Sequence, residues 1–293
     1  MLRGSIVISG WHSAYRAGAD LAILVKGEPL QTVIRSVPRN DLAKAIGPEA
    51  ADWGFAVHAV LTDPAHSADI GLRLPDGRVI ERVQVAEARD ISNPHEAFAR
   101  FIKTVNATGG RVLEIGARAR SAITRRELFS PSVDYIGFDV MAGENVDVVG
   151  DAHHLSRYVQ EPCDYIFSIS TFEHFLMPWK VALEMNAVLR PGGTVYSQSH
   201  QTWPVHDAPW DFFRFSREAW TGLFNVHTGF SVTEAIHGSP ISMVSLFNPG
   251  GPFENMETSP GYGLSACIAV KTGAPKVSWD ADVSDIQSIG YDH

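Results

Sequence analysis

"RVLEIGARARS", residues 111–121, opens as an apolar run, ends that run in a glycine and then alternates alanine with arginine. Val112, Leu113 and Ile115 read as a buried strand, Gly116 as the turn that closes it, and Glu114 as an acid near its carboxyl end. Outward from this strand to Lys271, short apolar runs alternate with helical patterns, which predicts a doubly wound, mostly parallel sheet. "DYIGFDV" (134–140) is the next strand and sets Asp139 at its end, 25 residues after Glu114. "VDVVGDAHHL" (146–155) places Asp151 and Ala152 at another strand end, with His153 and His154 read as polar residues opening a surface helix. "CDYIFSISTFEHF" (163–175) is almost continuously apolar from Tyr165 to Ile169, as a strand covered on both faces is, and leaves through Ser168, Ser170, Thr171, Glu173 and His174. "PWKVALEMNAVLRPGGTVY" (178–196) reads as a helix stopped by Pro191, a glycine turn and a fifth strand. "TGFSVTEAIHG" (228–238) and "LSACIAVKTG" (264–273) supply the sixth and seventh. Ligands of such sheets bind beyond the carboxyl ends of the strands, where Asp139 is placed to accept hydrogen bonds from both hydroxyls of a ribose.

Before residue 90 the rhythm is different. "SIVISGW", "DLAILVKG", "LQTVIRSV", "WGFAVHAVLT", "ADIGLRL" and "VIERVQVAE" are short β-type runs separated by turn signals, including a "PDG" hairpin at 75–77. They predict a small β-sandwich with one short helix, capped by Asn40 or Asp41 and stopped by Gly47. "SNPHEAFARFIKTVNATGG" (92–110) then predicts a helix capped by Ser92 or Asn93 with Pro94 at its first position and Gly109–Gly110 at its end. The expected organisation is a β-rich accessory domain over 1–90, a linker helix over 91–108, the α/β domain over 109–273 and a loosely docked tail over 274–293. The loop 239–263, rich in Pro, Gly and Met, is open to reading as a lid or as a plain surface connection.

The chain has 293 residues and 45% hydrophobic against 19% charged residues, enough apolar material for two ordinary domains. Its formal net charge of -9 argues against a nucleic-acid partner, which draws on basic excess. Cys163 and Cys267 are the only cysteines and sit in apolar strands, which reads as buried reduced thiols of a cytoplasmic protein. No apolar run reaches the ~20 residues needed to span a bilayer, and the N-terminus lacks a signal-peptide pattern.

"EIGARARS", taken with the acids that end the following strands, resembles the class I S-adenosylmethionine-dependent methyltransferases. The resemblance implies S-adenosyl-L-methionine as cofactor, with Glu114 and Gly116 forming the turn around its methionine part. Asp151 then meets the adenine amino group and the Ala152 backbone its ring, with Val140, Ser168 and Ser170 beside them. The family's second and third glycines are missing here: Ala117, Arg118, Ala119 and Arg120 follow Gly116. Arg118 or Arg120 is a candidate to hold the cofactor carboxylate, and solvated arginines on a surface helix are the alternative. A dinucleotide-dependent oxidoreductase on the same architecture needs the G-x-G-x-x-G turn for its pyrophosphate, which "GARARS" does not supply.

Leaving the fifth strand, "HQTWPVHDAPWDFFRFS" (200–216) concentrates histidines, aspartates and aromatics where such enzymes build acceptor pockets. Methyl transfer to a hydroxyl benefits from a base, and histidine suits that task at neutral pH. His200 and His206 are the leading base candidates, with Asp207 or Asp211 as orienting partner or substitute base. His174 is a further catalytic candidate, whereas Glu173 also reads as a capping box closed through Ser170. Trp203, Trp210, Phe212 and Phe213 are candidate walls against a sugar ring or a sulfonium, or ordinary core. Asp207 and Arg214 are candidate substrate contacts, although Arg214 is also spaced to pair with Asp211. The spacing of His200, His206 and Asp207 fits no standard zinc pattern, so no metal is expected.

As a set, these motifs look like bacterial methyltransferases associated with glycosyltransferases and polysaccharide assembly, over residues 108–272. The resemblance implies a Rossmann-like seven-stranded methyltransferase sheet, O-methylation of a sugar or glycan hydroxyl, and glycosyltransferase or polysaccharide-assembly partners; it leaves a homo-oligomer open. Methylation of a nitrogen or protein acceptor, and a catalytically silent glycan-binding module, are the competing functions.

Overall fold

The computed structural model describes residues 4–61, 70–81, 93–120, 123–241, 243 and 261–287. The lid reading of 239–263 and the later part of "VIERVQVAE" fall largely or wholly outside them. Contacts divide the chain into two compact units, Met1–Ile91 with Pro240–Gly261, and Ser92–Ser239 with Tyr262–His293.

Among the described residues the first unit holds seven strands: β1 (Gly4–Trp11), β2 (Ala22–Val25), β3 (Glu28–Pro29), β4 (Thr32–Val37), β5 (Gly54–Leu61), β6 (Ile70–Arg73) and β7 (Val79–Ile80). They form two antiparallel sheets, β1-β5-β4 and β3-β2-β6-β7. Ile6, Phe55 and Val57 of one sheet share a core with Ile23, Ile70 and Leu72 of the other, which is the burial a small β-sandwich requires. Gly77, at φ +85°, turns β6 into β7 as the "PDG" signal predicts. The short helix α1 (Asn40–Ala45) begins one residue earlier than the cap assignment: Arg39 is its N-cap, and its guanidinium ties back to Asp41.

In the second unit β8 (Gly110–Ile115), β9 (Val133–Asp139), β10 (Val148–Val149), β11 (Cys163–Ile169), β12 (Leu189–His200), β13 (Phe230–Ile241) and β14 (Gly261–Lys271) make one sheet, ordered β10-β9-β8-β11-β12-β14-β13. From β10 to β12 neighbours run parallel, and β14 runs antiparallel to β12. The order reverses between β8 and β11, which puts the switch-point crevice at the carboxyl ends of those two strands. Alternate residues point to opposite faces. Leu113, Ile166, Val195 and Cys267 enter one core with the helices α3 (Leu155–Tyr158), α4 (Pro178–Val188) and α5 (Arg217–Leu223). Val112, Phe167, Tyr196 and Ala266 enter the other, under α2 (Pro94–Thr108).

The α2 helix is an integral layer of this unit. Asn93 Oδ1 accepts the His95 amide and Gly109 ends the helix at φ +68°, while Ala97, Phe101 and Val105 are buried one turn apart. Helix α4 stops at Val188, before Pro191, because the chain is already paired with Cys163 from Leu189 onward. Residues 117–120 and 123–125 carry no helix, so Arg118 and Arg120 do not stand on a surface helix. Both cysteines are buried free thiols, and burial pushes Cys163 up to about 12. Among the described residues no helix is long and apolar enough to cross a membrane.

Candidate active site

One cavity of about 940 Å³ opens at the carboxyl ends of β8, β9, β11 and β12. That is ample for a nucleoside-sized ligand and an acceptor together. Its first wall is the turn after β8. Gly116 takes φ +83°, and a Cβ added there would lie 2.1 Å from Thr171 Oγ1, so both conformation and space require glycine. Gly116→Ala is expected to lower the melting temperature by roughly 5 °C or more, read by circular dichroism; an unchanged transition would refute the requirement.

The amides of Gly116 and Ala117 donate to the Phe138 carbonyl, at 2.9 and 3.0 Å, and the Arg118 amide donates to Asp139 Oδ2 at 3.2 Å. Those donors are engaged by β9 and no helix starts at this turn, so the arrangement does not form a pyrophosphate cradle. The resemblance assigned Glu114 to the cofactor; the structure turns it away from the cavity. It is 1% exposed and accepts hydrogen bonds from Tyr135, Arg125 and Asn145. Burial pushes its carboxyl up, only partly offset by Tyr135 and Arg125. Arg125, which donates to Glu114, itself lines the cavity.

Asp139 ends β9 facing the cavity, with Val140 beside it. Its Oδ1 accepts the Met141 amide at 3.0 Å, and each carboxylate oxygen retains acceptor capacity. Arg118 approaches to 3.8 Å through its Nε, which is buried with no hydrogen-bond partner among the described residues, while Arg120 clamps Asp207 with two bonds of 2.6 and 2.9 Å. Both arginines line the cavity, Arg120 with its guanidinium on Asp207 and Arg118 beside Asp139. Asp151 and Ala152 line the next stretch of wall. His153 is buried rather than a surface opener: its Nδ1 donates to Asp151 and its Nε2 accepts the Met177 amide. Ser170, at φ +52°, reaches the cavity. Ser168 does not; it lies mid-sheet between Ile115 and Ser197, fully buried.

The opposite wall comes from the segment after β12. His200 Nδ1 lies 2.7 Å from Oε1 of Glu173, whose other oxygen accepts the Ser199 hydroxyl at 2.6 Å. Burial pushes the Glu173 carboxyl up, but the bonds from His200 and Ser199 outweigh that and hold it below its ordinary value. The capping-box reading of Glu173 fails because Ser170 is in the left-handed region and Thr171 is the N-cap, leaving the Glu173 side chain to enter the interior. Glu173, not Asp207 or Asp211, is the partner that orients His200. With Nδ1 turned to Glu173, Nε2 is the ring's other nitrogen, without a protein partner among the described residues.

Trp203 stacks on His200 with ring centres 4.7 Å apart, and His206 stands edge-on between His200 and His174. His174 donates from Nδ1 to the Trp210 carbonyl, and its Nε2 is 4.0 Å from Asp207. His174, Trp203, His206, Asp207 and Trp210 all line the cavity. Asp211 and Arg214 do not. Arg214 grips Asp211 with bonds of 2.5 and 2.8 Å and donates to the Trp203 and Pro204 carbonyls, a brace that fixes the loop from inside. That pair holds the Asp211 carboxyl well below its ordinary range, the hydrogen bond from Arg214 being the largest cause. Arg214→Ala is expected to raise the acceptor KM about tenfold with a smaller change in kcat, measured by initial rates; an unaltered KM would show that the brace is dispensable.

Two groups of ligand-type atoms converge within 4.8 Å, Glu173–His200–His206 and His174–His206–Asp211. Of their carboxylates, Glu173 also accepts the Ser199 hydroxyl and Asp211 is gripped by Arg214.

A family model described as "Methyltransferase domain" matches residues 84–239, more than half of the chain. No curated protein matches the sequence. Similar solved structures include a SAM dependent methyltransferase from Archaeoglobus fulgidus (16% identity, 61% of this chain and 95% of that one, TM-score 0.43). YcgJ from Bacillus subtilis is another (20%, 61% and 100%, 0.43). So is the N-methyltransferase NodS from Bradyrhizobium japonicum WM9, solved with S-adenosyl-L-homocysteine (15%, 62% and 90%, 0.40). The chain belongs to this methyltransferase-domain family and is a methyltransferase of the S-adenosyl-L-methionine-dependent class.

Proposed function

We propose that the protein methylates a hydroxyl of a sugar or glycan, with the cofactor along the Gly116–Asp139–Asp151 wall and the acceptor against the 200–210 segment. One observation supports this above the rest: His200, with the buried Glu173 carboxylate behind it, lines the same cavity as Asp139. The residues suit the donor. Asp139 offers acceptors for a ribose diol, Arg118 a guanidinium at the cavity wall for a carboxylate, and Asp151 with Ala152 a polar edge for a base. Bound there, S-adenosyl-L-methionine supplies a methyl group on a positively charged sulfur.

The chain's own part is to position the acceptor, exclude water and move one proton. His200 Nδ1–H is fixed on Glu173, so Nε2 accepts the acceptor's hydroxyl proton as the oxygen becomes nucleophilic. The Glu173 charge stabilises the imidazolium that results. The Trp203 face, 52% exposed and held flat by His200, suits the apolar face of a sugar ring. Transfer of a tritiated methyl group across a panel of sugars, nucleotide sugars, amines and proteins tests the reading. Label appearing in sugars as an alkali-stable ether supports it; label only in amines or protein refutes it.

A further inference from the structure

We infer that the C-terminal segment from Trp279 to Gln287 is a wall of the cofactor site at its adenine end, where Ser284 and Gln287 help to select the base. This rests on the cofactor placement proposed above. Asp282, Val283, Ser284 and Gln287 line the same cavity as Asp151 and Ala152. The anchors of the segment lie around that end. His154, two residues beyond Ala152, holds Asp282 through Nε2 at 2.9 Å. Lys180 donates to the Ala281 carbonyl at 2.6 Å, and Trp279 donates to Met177 Sδ at 3.0 Å while standing edge-on to Trp179.

A loosely docked tail would not be the partner of a buried ammonium. Lys180 is 7% exposed, and an amine that deep requires its acceptor. Asp282 then caps the short helix α6 (Val283–Ile286) reciprocally with Asp285, which fixes this turn against the cavity. Within that turn the Ser284 and Gln287 amides are engaged by Asp282 and the Val283 carbonyl. Their hydroxyl and carboxamide have no protein partner among the described residues. A carboxamide offers a donor and an acceptor side by side, the pattern that complements the amino group and ring nitrogen of adenine. A base with an oxo group in place of that amino group reverses this pattern, so the carboxamide meets it only when turned over.

Calorimetry with S-adenosylhomocysteine and its deaminated analogue S-inosylhomocysteine tests this on three proteins: the full chain, a chain ending at Lys276, and the full-length Ser284→Ala/Gln287→Ala double variant. The shortened chain is expected to bind S-adenosylhomocysteine at least about tenfold more weakly, and the double variant to lose about threefold to tenfold together with part of its preference over the inosyl analogue. Unchanged affinity in a shortened chain with a native circular dichroism spectrum overturns the inference. Should shortening unfold the protein, the double variant decides: unchanged affinity and preference overturn it equally. A full chain that fails to bind S-adenosylhomocysteine removes the cofactor placement itself, a separate result.

Discussion

His200→Ala is expected to lower kcat for methyl transfer by about 10²–10⁴ while leaving S-adenosylhomocysteine affinity nearly unchanged. The magnitude follows from what the side chain contributes. A hydroxyl is a poor nucleophile until its proton leaves, and among the cavity residues His200 alone has one nitrogen fixed by a buried carboxylate and the other without a protein partner. His174 is held by the Trp210 carbonyl, and His206 lies within reach of both the Pro204 carbonyl and Asp211, so neither has an equivalent arrangement. The cofactor side is built from β8, β9 and the 150–152 turn, so truncating His200 leaves those contacts in place. Glu173→Gln should act in the same direction, because it keeps the shape but removes the charge that stabilises the imidazolium. Initial rates with labelled methyl donor, paired with calorimetry, check both. A His200→Ala protein with full kcat would remove that residue from the chemistry.

Much of this site is legible in the sequence wherever a local rule acts. The glycine after β8, the acid ending β9 and the aspartate before Ala152 are strand-end residues, and strand ends follow from apolar periodicity. The 200–216 segment declares itself by composition. Roles that depend on tertiary direction do not show. Glu114 and Asp139 are both acids near strand ends, yet Glu114 lies one residue before the end of β8 and enters the Tyr135–Arg125–Asn145 network, whereas Asp139 is the last residue of β9 and faces the cavity. Glu173 matches a capping pattern in one dimension; the left-handed Ser170 cancels it in three. The tail's role was hidden for a simpler reason. Its anchors, His154, Met177 and Lys180, lie more than a hundred residues upstream, and no local pattern announces them.

Asp139→Ala is expected to weaken S-adenosylhomocysteine binding by about 10²-fold, with kcat at saturating cofactor far less affected. A hydrogen bond to a charged group is worth about 1.5–3 kcal/mol, and each 1.4 kcal/mol is about a factor of ten in affinity. Asp139 is in a position to provide two such bonds, since each oxygen accepts only one protein amide, from Met141 and from Arg118. Those same amides make the alanine variant ambiguous alone, because removing the carboxylate leaves two donors without acceptors and loosens the turn after β8. Asp139→Asn separates the effects. It keeps the side-chain volume and an acceptor for one of the two amides, so the turn loses one bond rather than two, while one ribose partner becomes a donor and the charge is lost. Calorimetry on both variants, with the ligand-free melting temperature as the control for folding, should give an Asn variant more stable than the Ala variant, since one of the two amides keeps its acceptor, yet weaker in binding than the parent by at least about tenfold. Parental affinity in the Asn variant would mean that the nucleoside lies elsewhere, and the assignment of every residue along that wall would fall with it.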